Sequence, residues 1–128
     1  MYALWQRVHV LADGMATEDG RRFRVVYPGR PNPREGPDFH DAIIRTETGE
    51  LITGDVELHV KAPDWHAHGH DSDPNYNAVI LHVVLSPKGQ AESERQSGLR
   101  TPVVSMADAV HLLVEAAGAF PDALADVG

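Results

Sequence analysis

Six residues between Asp38 and His82 carry the side chains best suited to chemistry. They are Asp38, Glu57, His59, His68, His70 and His82, two carboxylates and four imidazoles. Of the chain's eight histidines, five (His59, His66, His68, His70 and His82) fall within the stretch GDVELHVKAPDWHAHGHDSDPNYNAVILHVVL, Gly54–Leu85. A sixth, His40, lies just upstream, two residues after Asp38. There is no cysteine, so a metal could be held only by imidazole, carboxylate or backbone oxygen. That excludes the thiolate type of structural zinc site and leaves a divalent ion such as Mg, Mn or Zn as the candidate cofactor. The chemistry such an ion supports is hydrolysis, through a bound water of lowered pKa.

The elements that must position these groups are readable from periodicity. Asp55–Lys61 alternates, with Asp55, Glu57, His59 and Lys61 on one face and Val56, Leu58 and Val60 on the other, as a half-buried strand requires. The plainer alternative for that polar face is an ordinary solvated face of a sheet. Val79–Leu85 is apolar on both faces except for His82, which predicts a central strand covered on both sides. For a lone imidazole in such a run, a hydrogen-bonded core histidine is the bland reading and a ligand the sharper one. Asp38–Thr46 reads as a further strand, hairpinned to Glu50–Lys61 through a two-residue turn at Thr48-Gly49. With Glu47 opposite Glu50, Asp38 faces His59, His40 faces Glu57 and Phe39 faces Leu58. The expected result is convergence of Asp38, Glu57 and His59, with His68 or His82 approaching from the next elements.

The loop Ala62–Asn77 contains Pro63, Gly69 and Pro74, which rule out one continuous helix. In an extended segment His66, His68 and His70 would align; they read equally as ligands or as polar surface residues. Trp65 and Tyr76 are expected to anchor this loop. Upstream, Arg21–Tyr27 reads as a strand. The Pro- and Gly-rich stretch 28–37 reads as a rigid connector, its Arg30 and Arg34 either a local cationic patch near Asp38 or ordinary solubilising charges on a loop. Tyr2–Leu11 is a short helix or strand. Downstream, residues 86–100 read as a polar, flexible loop and Thr101–Val104 as a last strand. Ser105 is expected to cap a helix with a stripe of Val110, Leu113, Val114 and Ala117 that ends at Gly118. A tail, Phe120–Val127, follows.

At 128 residues, 42% hydrophobic and 23% charged, the chain reads as one domain, 1–128, with a real core. The fold class expected is α/β or α+β, a mixed β-sheet with a central hairpin and a C-terminal helix. A net charge of −8 disfavours nucleic acid as partner, because phosphate neutralisation dominates that binding. A protein partner or a separate second domain is the alternative. Trp5, Gln6, Arg7 and His9 interrupt any apolar signal region, and the apolar stretch 110–120 is too short for a bilayer. A cytoplasmic protein with no membrane partner is expected.

The segments GRPN, GPDF, GDVELHV, PDWHAHGHD and NAVILHVV, in that order, resemble a bacterial domain-of-unknown-function family over about Trp5–Leu85. Many members look longer. The pattern Pro37-Asp38, hairpin, then acidic-x-basic also resembles the restriction-endonuclease-like nuclease fold. That resemblance implies Mg²⁺ ligands at Asp38 and Glu57 and a catalytic Lys two residues on. Here His59 holds the Lys position, and Lys61 follows on the same face. It implies a metal-dependent phosphodiester hydrolase with Asp38, Glu57, His59 and Lys61 as catalytic residues. The competing function is a non-catalytic metal-binding or protein-interaction domain with a β-rich core, its metal held by His66, His68, His70 and His82.

Overall fold

The computed structural model describes residues 1–86 and 90–116. In chain order the elements are α1 (Tyr2–Trp5), β1 (Met15–Ala16), β2 (Arg22–Tyr27), β3 (Arg30–Pro31), β4 (Phe39–Thr46) and β5 (Leu51–His59). They continue with α2 (Asp64–Ala67), β6 (Val79–Val84), β7 (Glu92–Glu94), β8 (Arg100–Ser105) and α3 (Val110–Ala116). Short 3₁₀ turns occur at Val8–Val10, His70–Ser72 and Pro74–Tyr76. The strands form one sheet of order β1-β2-β4-β5-β6-β8-β7, with β3 paired to β4, curved as a half-barrel. β6 runs parallel to both neighbours, β5 and β8; the other pairs are antiparallel. The architecture is a mixed sheet with a few short helices, α+β in kind.

The doubly apolar run became β6, in the sheet interior, as its composition demands. Parallel pairing of β5 with β6 requires a long crossover, and residues 60–78 supply it. That crossover covers one face of the sheet. The other face carries the main core, in which Phe39, Val56, Leu58, Leu81, Val83 and Val104 pack with Leu4, Trp5 and Leu113 of the terminal helices.

The hairpin β4–β5 forms, but its register differs from the expected one in two places. Thr46 N–H donates to Glu50 O at 2.9 Å and Arg45 pairs with Leu51. The turn is therefore the three residues Glu47-Thr48-Gly49, with Gly49 at φ 87° in the left-handed position such loops require. A second shift occurs between Phe39 and Ala42, where Asp41 adopts φ 59° in a β-bulge. Each shift alone would turn the polar residues to the wrong face. Together they move the pairing by two and restore the face. Phe39 thus pairs with Val56, not Leu58, and His40 meets Asp55, not Glu57, at Nδ1–Oδ1 3.1 Å.

The region read as a polar flexible loop contains β7, which pairs with β8. Ser105 ends β8 and does not cap α3; its Oγ accepts from Ala107 N–H at 3.1 Å and donates to Ser86 O. Arg30 pairs with Asp41 at the bulge, not with Asp38. Tyr2–Leu11 holds both α1 and a 3₁₀ turn. Ala117, Gly118 and the Phe120–Val127 tail lie outside the described residues. No helix among the described residues is long and apolar enough to cross a membrane.

Candidate metal centre

The polar face of β5 is not solvated. Asp55, Glu57 and His59 are all buried, because the crossover folds over them. Trp65 anchors that crossover: it is buried, and its indole N–H donates to Glu94 O at 2.8 Å. Tyr76, also buried, packs edge-on against Trp65 at 5.8 Å and stacks on the His70 ring at 3.8 Å. The loop is neither a continuous helix nor extended. α2 and the 3₁₀ turn from His70 split the three alternating histidines. His66 points to solvent, 86% exposed, and pairs with Asp71. His68 and His70 turn inward toward β5.

The result is a cluster of imidazoles around Glu57. One donor atom from each of His59, His68 and His70 lies within 4.8 Å of the others. His59 Nε2 and His68 Nδ1 are 3.2 Å apart. Glu57 Oε2 lies 3.3 Å from His59 Nε2 and 2.9 Å from His70 Nε2. The last contact lacks hydrogen-bond geometry: His70 Nε2 is buried with no hydrogen-bond partner. A tetrahedral zinc with bonds of about 2.0–2.1 Å separates its donors by about 3.3 Å. The donor set and the spacings fit such an ion, and His59, His68 and His70 could hold one.

Behind this cluster runs a chain of ring nitrogens. His59 Nδ1 and His82 Nε2 are 2.8 Å apart, and His82 Nδ1 and Ser93 Oγ 2.9 Å. His82 is fully buried, and both its nitrogens are occupied, so it stands behind His59 and outside the convergence point. Asp38 sits beside Glu57. Its N–H donates to Glu57 Oε1 at 3.1 Å, and its own Oδ2 accepts from Leu58 N–H at 2.8 Å while Oδ1 accepts from the Tyr2 hydroxyl. Both Asp38 oxygens are therefore engaged away from the imidazoles. Lys61 lies past the end of β5, exposed, with its backbone N–H on Asp64. Ser93 was invisible in the sequence because Glu92-Ser93-Glu94 is too short for a period-two signal. The only hint is the polar-small-polar alternation itself.

Burial sets the protonation states. It lowers His59 to about 4, with His70 and His68 adding to the effect, and His82 to about 3, with His59 and His70 adding. His70 is also lowered, by burial and then by His68. Burial thus favours the neutral form of His59, His70 and His82, the form in which an imidazole ligates a metal. Burial, followed by the Asp38 carboxylate, raises Glu57 to about 9. A proton on Glu57 removes its repulsion with the Asp38 carboxylate; a divalent cation would relieve it equally. The cluster opens on its His68 side to a cavity of about 380 Å³, also lined by Glu35, Asp38, Asp73 and Tyr76.

Fold and site together define a mixed-sheet α+β domain with an imidazole- and carboxylate-rich centre. The chain belongs to the family described as "Protein of unknown function (DUF2851)", whose model matches residues 1–117. No curated protein and no solved structure matches it.

Proposed function

We propose that this chain is a divalent transition-metal-binding domain, with the ion held by His59, His68, His70 and Glu57. The observation that carries this reading is His70 Nε2, a buried ring nitrogen without a hydrogen-bond partner, facing a carboxylate oxygen and two more imidazoles. A buried polar atom left unsatisfied costs about 1–3 kcal/mol, and coordination removes that cost. A donor set of three nitrogens and one oxygen suits zinc and its neighbours; Mg²⁺ prefers oxygen ligands and bound waters. The oxygen-rich Mg²⁺ site of the restriction-endonuclease-like reading therefore gains no support from the way Asp38 is used.

A hydrolytic role is favoured by one specific feature, the opening of the centre to the 380 Å³ cavity. With Glu57 released from the metal, a water could take its position and Glu57 could accept that water's proton. Glu35, Asp38 and Asp73 at the opening disfavour a polyanionic substrate such as nucleic acid, so an uncharged or cationic substrate suits the cavity better. In the closed form, four protein donors make a structural site that braces the crossover against the sheet. The experiment is to load the purified chain with zinc and assay ester, amide and phosphodiester reporters. Chelator-sensitive turnover that His70→Ala abolishes supports hydrolysis. One bound zinc per chain with no turnover supports the structural role.

A further inference from the structure

A second cavity, of about 480 Å³, shares no residue with the metal centre. Its floor is apolar: Phe23 of β2, Ile44 of β4, Ile52 of β5 and Leu81 of β6. Ile52 is only partly buried, so the floor has accessible apolar surface. The volume falls in the range of small-molecule sites, about 300–1,000 Å³.

The rim is cationic. Arg21, Arg22, Arg95 and Arg100 line this cavity, four of the eleven Lys and Arg residues of a chain whose net charge is −8. Such a concentration runs against the overall field. The only carboxylate among the lining residues is Glu47, and its Oε1 accepts from Arg22 backbone N–H at 3.0 Å. Arg21 is matched by Asp19 at 3.1 Å, and Arg100 approaches Glu92 only to 3.8 Å. Among the described residues, Arg22 and Arg95 have no carboxylate partner: Arg22 donates to Asp13 O at 2.6 Å, and Arg95 to Asn77 O at 2.8 Å and Arg100 O at 3.3 Å. Carbonyls orient a guanidinium without neutralising it. Arg95 Nε, moreover, is buried with no hydrogen-bond partner. Guanidinium groups recognise carboxylate and phosphate through paired N–H donors.

We infer that this groove binds a small amphipathic anion, an apolar chain on the Ile44–Ile52–Leu81 floor with a carboxylate or phosphate head at Arg95 and Arg100. The shared chemistry is one anionic head on an apolar body. Neither part suffices alone: the floor offers no polar specificity, and exposed arginine–anion pairs contribute little by themselves.

The test uses the full chain with chelator present, so that no head group can bind a metal. Decanoate, decyl phosphate, decanol and decyltrimethylammonium are titrated by calorimetry, with amide and methyl NMR shifts locating the site. Binding of decanoate or decyl phosphate at least tenfold tighter than decanol, with shifts at Ile44, Ile52 and Leu81, is expected; the two anion arms identify the preferred head. Arg95→Gln should weaken anion binding at least tenfold and leave decanol unchanged. Should Arg95→Gln fail to fold, Arg100→Gln, at an exposed position, gives the same comparison. Equal binding of decanol and both anions, binding elsewhere on the chain, or no binding by any probe would overturn the inference.

Discussion

His59 Nδ1 lies 2.8 Å from His82 Nε2, and His82 passes the contact on to Ser93 Oγ at 2.9 Å. With a proton on each Nδ1, His59 donates to His82 and His82 donates to Ser93. That arrangement leaves the His59 Nε2 lone pair directed at the convergence point. The partner of a ligand's second nitrogen fixes tautomer and ring orientation. The fully buried imidazole of β6 would thus position the one on β5 for the proposed ion.

His82→Ala should therefore lower metal affinity by about 10–100-fold although His82 touches no ion. Ser93→Ala, one step further back, should lower it less, in the same direction. Competition titration against a chromophoric chelator reads both. Unchanged affinity in the two variants would remove His82 from the site.

The metal-free fold should be most stable near pH 6.5. Burial holds His59 at about 4 and His82 at about 3 in the folded chain, below the ordinary imidazole value of 6.5. Their contribution is complete above 6.5 and is lost as pH falls toward those values. Glu57 has the opposite sign. Its folded value of about 9 lies above the ordinary carboxylate value of 4.5, so its contribution is complete below 4.5 and lost as pH rises toward 9. Each group adds a slope of about 1.4 kcal/mol per pH unit inside its window. Urea midpoints measured with chelator from pH 4 to 9 should trace a dome. Glu57→Gln should flatten its alkaline side and leave the acid side in place.

Gly54→Ala should destabilise the fold by about 1–3 kcal/mol, the usual cost of overpacking. A Cβ there would stand 2.3 Å from Ile80 Cγ2 and 2.7 Å from Ala78 O. The pairing of β5 with β6 skips Ile80, since Asp55 pairs with Val79 and Val56 with Leu81. The bulge brings the Ile80 side chain against the bare Gly54 backbone. Chemical denaturation checks this, and Gly49→Ala in the β4–β5 turn, where added atoms meet nothing, separates crowding from the strain of a positive φ.

Period-two alternation on Asp55–Lys61 and the doubly apolar Val79–Leu85 run made the central strands legible, because burial on one or two faces writes itself into residue order. The register was not legible. Whether Gly49 closes a two- or a three-residue loop, and whether Asp41 takes a positive φ, are decided by backbone geometry that many sequences share. Asp38 kept to Glu57's face only because the two one-residue shifts add to two. Which histidines turn inward was equally hidden: His66 and His68 differ in fate through the phase of one helical turn, α2. The role of His82 depended on Ser93, whose three-residue strand carries too little pattern to notice.

X-ray absorption of the zinc-titrated chain would read the donors of the proposed centre at Glu57, His59, His68 and His70. One zinc per chain is expected, with three imidazole nitrogens and one oxygen at about 2.0–2.1 Å, and loss of stoichiometric binding in His70→Ala. A chain that binds no zinc stoichiometrically, or binds it with a shell lacking imidazole, would contradict that centre.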